Sequence, residues 1–158
     1  MTTKTAIFVD VQNIYYTTRD SFSRQFNYRK FWKMLEADHN IVYATAYAID
    51  RNDDSQRKFQ DALRHIGFTI KLKPYIQRID GSAKGDWDVG ITIDIMEQAT
   101  NVDKVILLSG DGDFDLLLEK VSGKYNVITQ VYGVPKLTAK SLIDAASEFN
   151  PITTEMLL

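Results

Sequence analysis

Acidic side chains stand at three widely separated places in this chain, each where a short apolar run stops. They are Asp10 in AIFVDVQN, Asp88 in KGDWDVGITIDI, and Asp111, Asp113 and Asp115 in VILLSGDGDFDLLL. Carboxylates gathered in one crevice repel one another and are costly to desolvate, so packing alone supplies no reason for such a set. A hard divalent cation reverses that sign, and Mg²⁺ or Mn²⁺ prefers oxygen ligands of this kind. Where the apolar runs are neighbouring strands, Asp10, Asp88, Asp111 and Asp113 become candidate metal ligands and catalytic residues.

Each acid also has a plainer reading. Asp111 can cap the helix that follows it, with Asp113 and Asp115 favouring the helix dipole. Asp88 can cap a helix of its own. Asp10 interrupts an apolar strand with no capping duty in view, which favours a functional role. Asp94 lies six residues after Asp88, about 120° round a helix, so both share an ion only if Asp88 sits in the non-helical cap. Asn13 is placed to hold a water or a phosphate near Asp10, or is an ordinary turn asparagine. Neither His39 nor His65 has a partner suggesting acid–base catalysis.

The elements that must position these residues alternate. Short β-branched and aromatic runs predict strands over Thr5–Val11, Ile41–Ile49, Phe68–Leu72, Lys104–Leu108 and Asn126–Tyr132. Helical spacing predicts helices over Tyr28–Ala37, Gln56–Ile66 and Asp88–Ala99. Another helix follows the fourth strand through Phe114, Leu117, Leu118 and Val121, and a short one covers Ser141–Ala146. Gly67 is placed as a C-cap. Gln12–Gln25 reads as a loop or irregular helix, and Pro74–Asp86 as a turn-rich stretch. The expectation is an α/β fold, a single three-layer domain over residues 1–158 with a mostly parallel five-stranded sheet. In such sheets ligands bind beyond the carboxyl ends of the strands, where connectivity reverses. Asp10 ends the first strand and Ser109-Gly110-Asp111 ends the fourth.

Composition is ordinary for a globular protein: 44% hydrophobic, 25% charged and no cysteine, which excludes disulfides and thiolate metal sites. The start lacks a signal-peptide pattern and the longest apolar stretch, IVYATAYAI, is too short to span a membrane, so the expected location is the cytoplasm, without membrane attachment. A formal net charge of −2 argues against a protein held to nucleic acid by bulk charge, although a local basic groove remains compatible.

The runs FVDVQNIYY, KGDWDVGITIDIM and LLSGDGDFDLLLEKV together resemble the NYN domain of the PIN-like nuclease superfamily, specifically its LabA-like branch. The resemblance extends from Ala6 to Phe149. Its pattern is matched by Asp10 and Asn13 after the first strand, by Lys84, Gly85 and Asp88, and by Ser109, Gly110, Asp111, Asp113 and Phe114. Gln12 departs from it, standing where relatives usually carry a small residue or an acid. The resemblance implies a PIN-like fold and Mg²⁺- or Mn²⁺-dependent ribonuclease activity yielding 5′-phosphate products. The carboxylates would hold one or two ions roughly 4 Å apart. Asn13, Lys84, Asp94, Ser109 and Asp115 are supporting candidates. Lys84 either approaches the scissile phosphate or is a solvated loop lysine.

Candidate RNA contacts are Arg29, Lys30, Arg51 and Trp87, within a wider set of cations and aromatics: Arg24, Tyr28, Trp32, Lys33, Arg57, Lys58 and Arg64. The expected partners are an RNA substrate and a second copy of the chain or an accessory protein; no appended helical RNA-binding domain is seen, so substrate selection is expected to be intrinsic or supplied by a partner. Three other aspartate-based classes fit poorly. A haloacid-dehalogenase-type phosphatase needs an acid at position 12, a response-regulator receiver needs a phosphoacceptor after the third strand, and a Toprim domain begins with glutamate. The rival from another class is a non-catalytic RNA-binding or regulatory module that retains a metal site.

Overall fold

The computed structural model describes residues 3–74, 76–77, 83–84 and 86–158, with the backbone alone for 76–77 and 83–84. Its frame is a six-stranded sheet of β1 (Thr3–Asp10), β2 (His39–Asp50), β3 (Thr69–Pro74), β6 (Lys104–Leu108), β7 (Ile128–Gly133) and β8 (Glu148–Pro151). Strands β4 (Ile76–Gln77) and β5 (Ala83–Lys84) form a separate antiparallel pair within the stretch expected to be turns. The main sheet runs β3-β2-β1-β6-β7-β8, and every pairing in it is parallel. The expected five strands are therefore six. The addition is β8, whose sequence EFNP is short and polar and ends in a proline, which an edge strand tolerates.

Both faces of the sheet are covered, which explains why the central strands read as continuous apolar runs. Ile7, Val9, Ile106 and Leu108 face one core with Ile14, Phe31, Leu35 and Leu63. Ala6, Phe8, Val105 and Leu107 face the other with Ile91, Ile95, Leu118 and Leu142. The first core takes side chains from α1 (Val11–Phe22), α2 (Tyr28–Glu36) and α3 (Asp54–Ile66). The second takes them from α4 (Asp88–Gln98), α5 (Asp115–Tyr125) and α6 (Lys140–Ala145). No helix among the described residues is long and apolar enough to cross a membrane.

Helix α1 replaces the loop or irregular helix expected over residues 12–25. Its buried stripe is Ile14, Thr17 and Thr18, so two of three inward positions carry hydroxyls and the apolar period is hidden. Those hydroxyls bond back to carbonyls one turn earlier, Thr17 to Asn13 at 2.8 Å and Thr18 to Ile14 at 2.7 Å, so neither is buried unpaired. Gly67 closes α3 at φ 139°, with the Trp32 ring packed where a side chain would stand.

Helix α4 is pinned to the sheet at its start and past its middle. The Trp87 indole N–H donates to the Ala48 carbonyl of β2 at 2.8 Å. Two turns on, Asp94 accepts from the Tyr47 hydroxyl and from the Lys71 Nζ, each at 2.7 Å, and from the Tyr43 hydroxyl at 3.4 Å. Burial pushes the Asp94 carboxyl up, but the bonds from Lys71 and Tyr47 outweigh it and hold it below the ordinary carboxylate range. Burial drives the Tyr47 phenol far upward, so it remains a donor. Asp94→Asn is expected to lower stability by roughly 1–3 kcal/mol, because a charge-assisted bond to a side chain only 14% exposed is lost. Combined with Tyr47→Phe, the total loss should be less than the two single losses added together. Strictly additive losses in denaturant titrations would show that the two groups do not work as a unit.

Candidate functional site

The connectivity reverses between β1 and β6: the chain builds β2 and β3 on one side of β1, then crosses to β6, β7 and β8 on the other. That switch point opens a crevice at the carboxyl ends of the two central strands. Asp10 ends β1 and caps α1, its carboxylate accepting from the Asn13 N–H at 3.5 Å. This corrects the expectation that Asp10 has no capping duty. Its other oxygen accepts from the Ser109 hydroxyl at 3.0 Å. Asn13 completes the bridge, with its side-chain carbonyl accepting from the Gly110 N–H at 2.8 Å. A Cβ on Gly110 would lie 2.5 Å from the Leu137 carbonyl oxygen, so only glycine lets this loop pass so closely.

Asp111 and Asp113 follow on the same loop. The Ser109 hydroxyl accepts from the Asp111 N–H at 3.1 Å, and Asp111 accepts from the Asp113 N–H at 2.9 Å. Asp88 is the first residue of α4 and reaches the crevice from the other side. Oxygens of Asp88, Asp111 and Asp113 lie within 4.8 Å of one another, the first two half-buried and the third exposed. Asp10 stands outside that trio yet contributes to the field on Asp88. All the donors are oxygens, which suits a hard divalent cation and not a thiophilic one.

Burial pushes the Asp10 carboxyl up to about 6, against the hydrogen bonds from Ser109 and Asn13 and with help from the charges of Asp111 and Asp86. Asp88 is pushed up to about 7, by burial first and then by the Asp111 charge. Asp86 is the residue that sequence reasoning missed. It accepts from the Asp88 N–H at 3.2 Å and adds negative charge to both neighbours. Its signal was the first acid of the GDWD run.

Other sequence candidates have different surroundings. Asp94, expected as a supporting residue of the site, instead lies two turns away in the Tyr47–Lys71 cluster. Asp115 starts α5 and bonds its neighbour's backbone, Leu116 N–H. The side chain of Lys84, and Gly85 entirely, lie outside the described residues. Trp87, a candidate RNA contact, is half-buried against Tyr47 with its N–H on Ala48, so it seats α4. Lys30 and Arg24 donate to backbone carbonyls of Glu155 and Leu158. Trp32 donates to Glu36 and packs on Phe68. Arg57 and Arg64 pair with Asp54 and Asp61 on their own helix. Arg29 is exposed on α2, and Arg51 borders a cleft beside Asp10. His39 begins β2, at the edge of the sheet opposite the acids.

A carboxylate whose pKa rises on folding binds protons more tightly in the native state, so stability falls as pH climbs from its unfolded to its folded value. For the metal-free protein this loss spans about pH 4 to 6 for Asp10 and about 4 to 7 for Asp88. Asp10 alone accounts for roughly 3 kcal/mol. Asp10→Asn should therefore raise the melting temperature at pH 7.5 in EDTA and leave it nearly unchanged at pH 4.5. Equal shifts at the two pH values, read by calorimetry, would contradict a strained buried carboxylate.

The NYN domain family model matches residues 4–153. The chain is 29% identical over 155 residues to the Low amplitude and bright protein LabA of Synechococcus elongatus, covering 91% of this chain and 81% of that one. In three dimensions it matches the crystal structure of a protein of unknown function from Vibrio parahaemolyticus. That match has a TM-score of 0.94 and 54% identity, and covers 99% of this chain and 97% of the other. The chain belongs to the NYN domain family of the PIN-like nuclease superfamily, in its LabA-like branch.

Proposed function

We infer that this protein is a divalent-metal-dependent ribonuclease that hydrolyses RNA phosphodiester bonds at the switch-point crevice. The observation that carries the reading is the convergence of Asp88, Asp111 and Asp113 oxygens within 4.8 Å, beside the half-buried Asp10. Desolvated acids drawn this close oppose folding unless a cation or protons neutralise them. Membership of a nuclease superfamily supports the same chemistry.

In this reading Asp88, Asp111 and Asp113 hold the cation, Mg²⁺ or Mn²⁺. When bound, that ion supplies a Lewis acid that makes water a competent nucleophile near neutral pH and offsets phosphate charge. Ser109 and the Asn13 N–H keep the Asp10 carboxylate aimed along the crevice, where it orients water and accepts a proton. Asp86 adds negative charge and restrains the first turn of α4 through the Asp88 N–H.

With Mg²⁺ or Mn²⁺ present, single-stranded RNA should be cut to fragments bearing 5′-phosphates, and EDTA should abolish cutting. Asp10→Asn, Asp88→Asn and Asp111→Asn should each lower the rate on the order of 100-fold or more, and Asp113→Asn by less. The ions should raise the melting temperature of the wild type more than that of these variants. RNA binding without any cleavage would replace the nuclease reading with that of a regulatory RNA-binding module. Cleavage that survives all three main substitutions would remove the acids from the chemistry.

A further inference from the structure

Beside the acids, between α1 and α3, the surface opens into a cleft of about 480 Å³, within the range of ligand sites. Val11 and Gln12, the residues directly after Asp10, form its near wall, so the cleft begins where the acidic crevice ends along α1. On its rim Tyr15 and Tyr16 are 44% and 41% exposed, with ring centroids 5.5 Å apart at a steep angle. The Arg19 guanidinium sits 5.2 and 5.1 Å from the two ring centroids. Such a cation–aromatic group on a helix can be no more than a local surface pair. Two further observations point to a ligand.

The first is Tyr28, which also lines the cleft and is only 7% exposed. Among the described residues its hydroxyl makes no hydrogen bond, and it is not sealed off from the cleft, so it stays available to a polar group there. It lies close enough to Asp10 to feel that charge. The second is spacing. Tyr15 and Arg19 follow Asp10 by five and nine residues, roughly 8 and 14 Å along the helix axis. That span matches about two to four stacked nucleotides at 3.4 Å each.

We propose that this cleft is the base-binding subsite of the site described above, and that it takes unpaired nucleotides of a single strand next to the scissile phosphate. The inference rests on the nuclease reading for its substrate, while the cleft's own chemistry selects the strand state. Exposed aromatic rings offer stacking faces to any base, the guanidinium accompanies the backbone, and the Tyr28 hydroxyl supplies a polar contact at the floor. Bases held in a duplex cannot present their faces to the rings, so selection is for single strands with little regard to sequence.

The test separates the subsite from the chemistry. Binding of a labelled oligouridylate is measured in EDTA for the wild type, for Tyr15→Ala with Tyr16→Ala, for Arg19→Ala, and for Tyr15→Phe with Tyr16→Phe. Hydrolysis of bis(p-nitrophenyl) phosphate with Mn²⁺ is followed in parallel, since that small diester needs the acids and not the cleft. The alanine variants should bind RNA roughly tenfold or more weakly. The phenylalanine variant should bind like the wild type, and all should hydrolyse the small diester at the wild-type rate. A self-complementary RNA duplex should bind the wild type far more weakly than the single strand. Undiminished RNA binding by the alanine variants, or equal affinity for duplex and single strand, overturns the subsite even if the small diester is cleaved. Tyrosine-dependent RNA binding by a wild type that cleaves neither substrate keeps the subsite and removes the nuclease reading.

Discussion

The two central strands are joined at their carboxyl ends by side chains as well as by the sheet, and the site depends on that join. Asp10 accepts from Ser109, and Asn13 accepts from Gly110, so residues nearly a hundred positions apart are held in register. Backbone pairing alone sets Val9 opposite Leu108 and then stops. The side-chain bridge carries the alignment past the sheet edge, into the loops where the acids stand. Asp10 thus has two physical duties, and they conflict. Capping and bridging call for an ionised acceptor, whereas burial favours the neutral form and raises the carboxyl to about 6.

Neighbouring elements differ in how firmly they are held. Helix α4 is seated by an indole N–H at its start and by the Asp94 cluster further on, which fixes the direction from which Asp88 enters the crevice. The loop after β6 is pressed against the segment after β7, where Ala139 N–H donates to the Gly110 carbonyl. Asp113 is the least confined of the acids, exposed and held through its backbone. A site with a stiff floor and one exposed ligand can bind a cation without opening its core.

Much of this arrangement was legible in the chain, and the reasons differ by element. The buried strands announced themselves as apolar runs because helices cover both sheet faces, and the acids were conspicuous because each ends such a run. What stayed hidden was information that sequence spacing does not carry. The inward face of α1 is two-thirds threonine, so its period did not register as apolar. Strand β8 is too short and polar to read as a strand, and it exists because β7 offers it an edge. Asp94 could be placed by angle around its helix but not by its partners, which come from Tyr47 and Lys71 on other strands. The part Trp87 plays in seating α4 was hidden because nothing local shows that the Ala48 carbonyl lies within its reach.

The switch point also sets an order of events in folding. An all-parallel sheet has no hairpins, so each strand must wait for a crossover helix before it finds its neighbour, and such non-local pairing is slow. The units β1–β2–β3 and β6–β7–β8 each consist of strands adjacent in both sequence and space. Contact between β1 and β6 spans the longest loop of the sheet and carries the highest closure entropy. The acids come together only when that contact forms, so their repulsion falls on a late step of assembly. Divalent ions would then act less on the early condensation of either half than on how long the completed molecule stays closed.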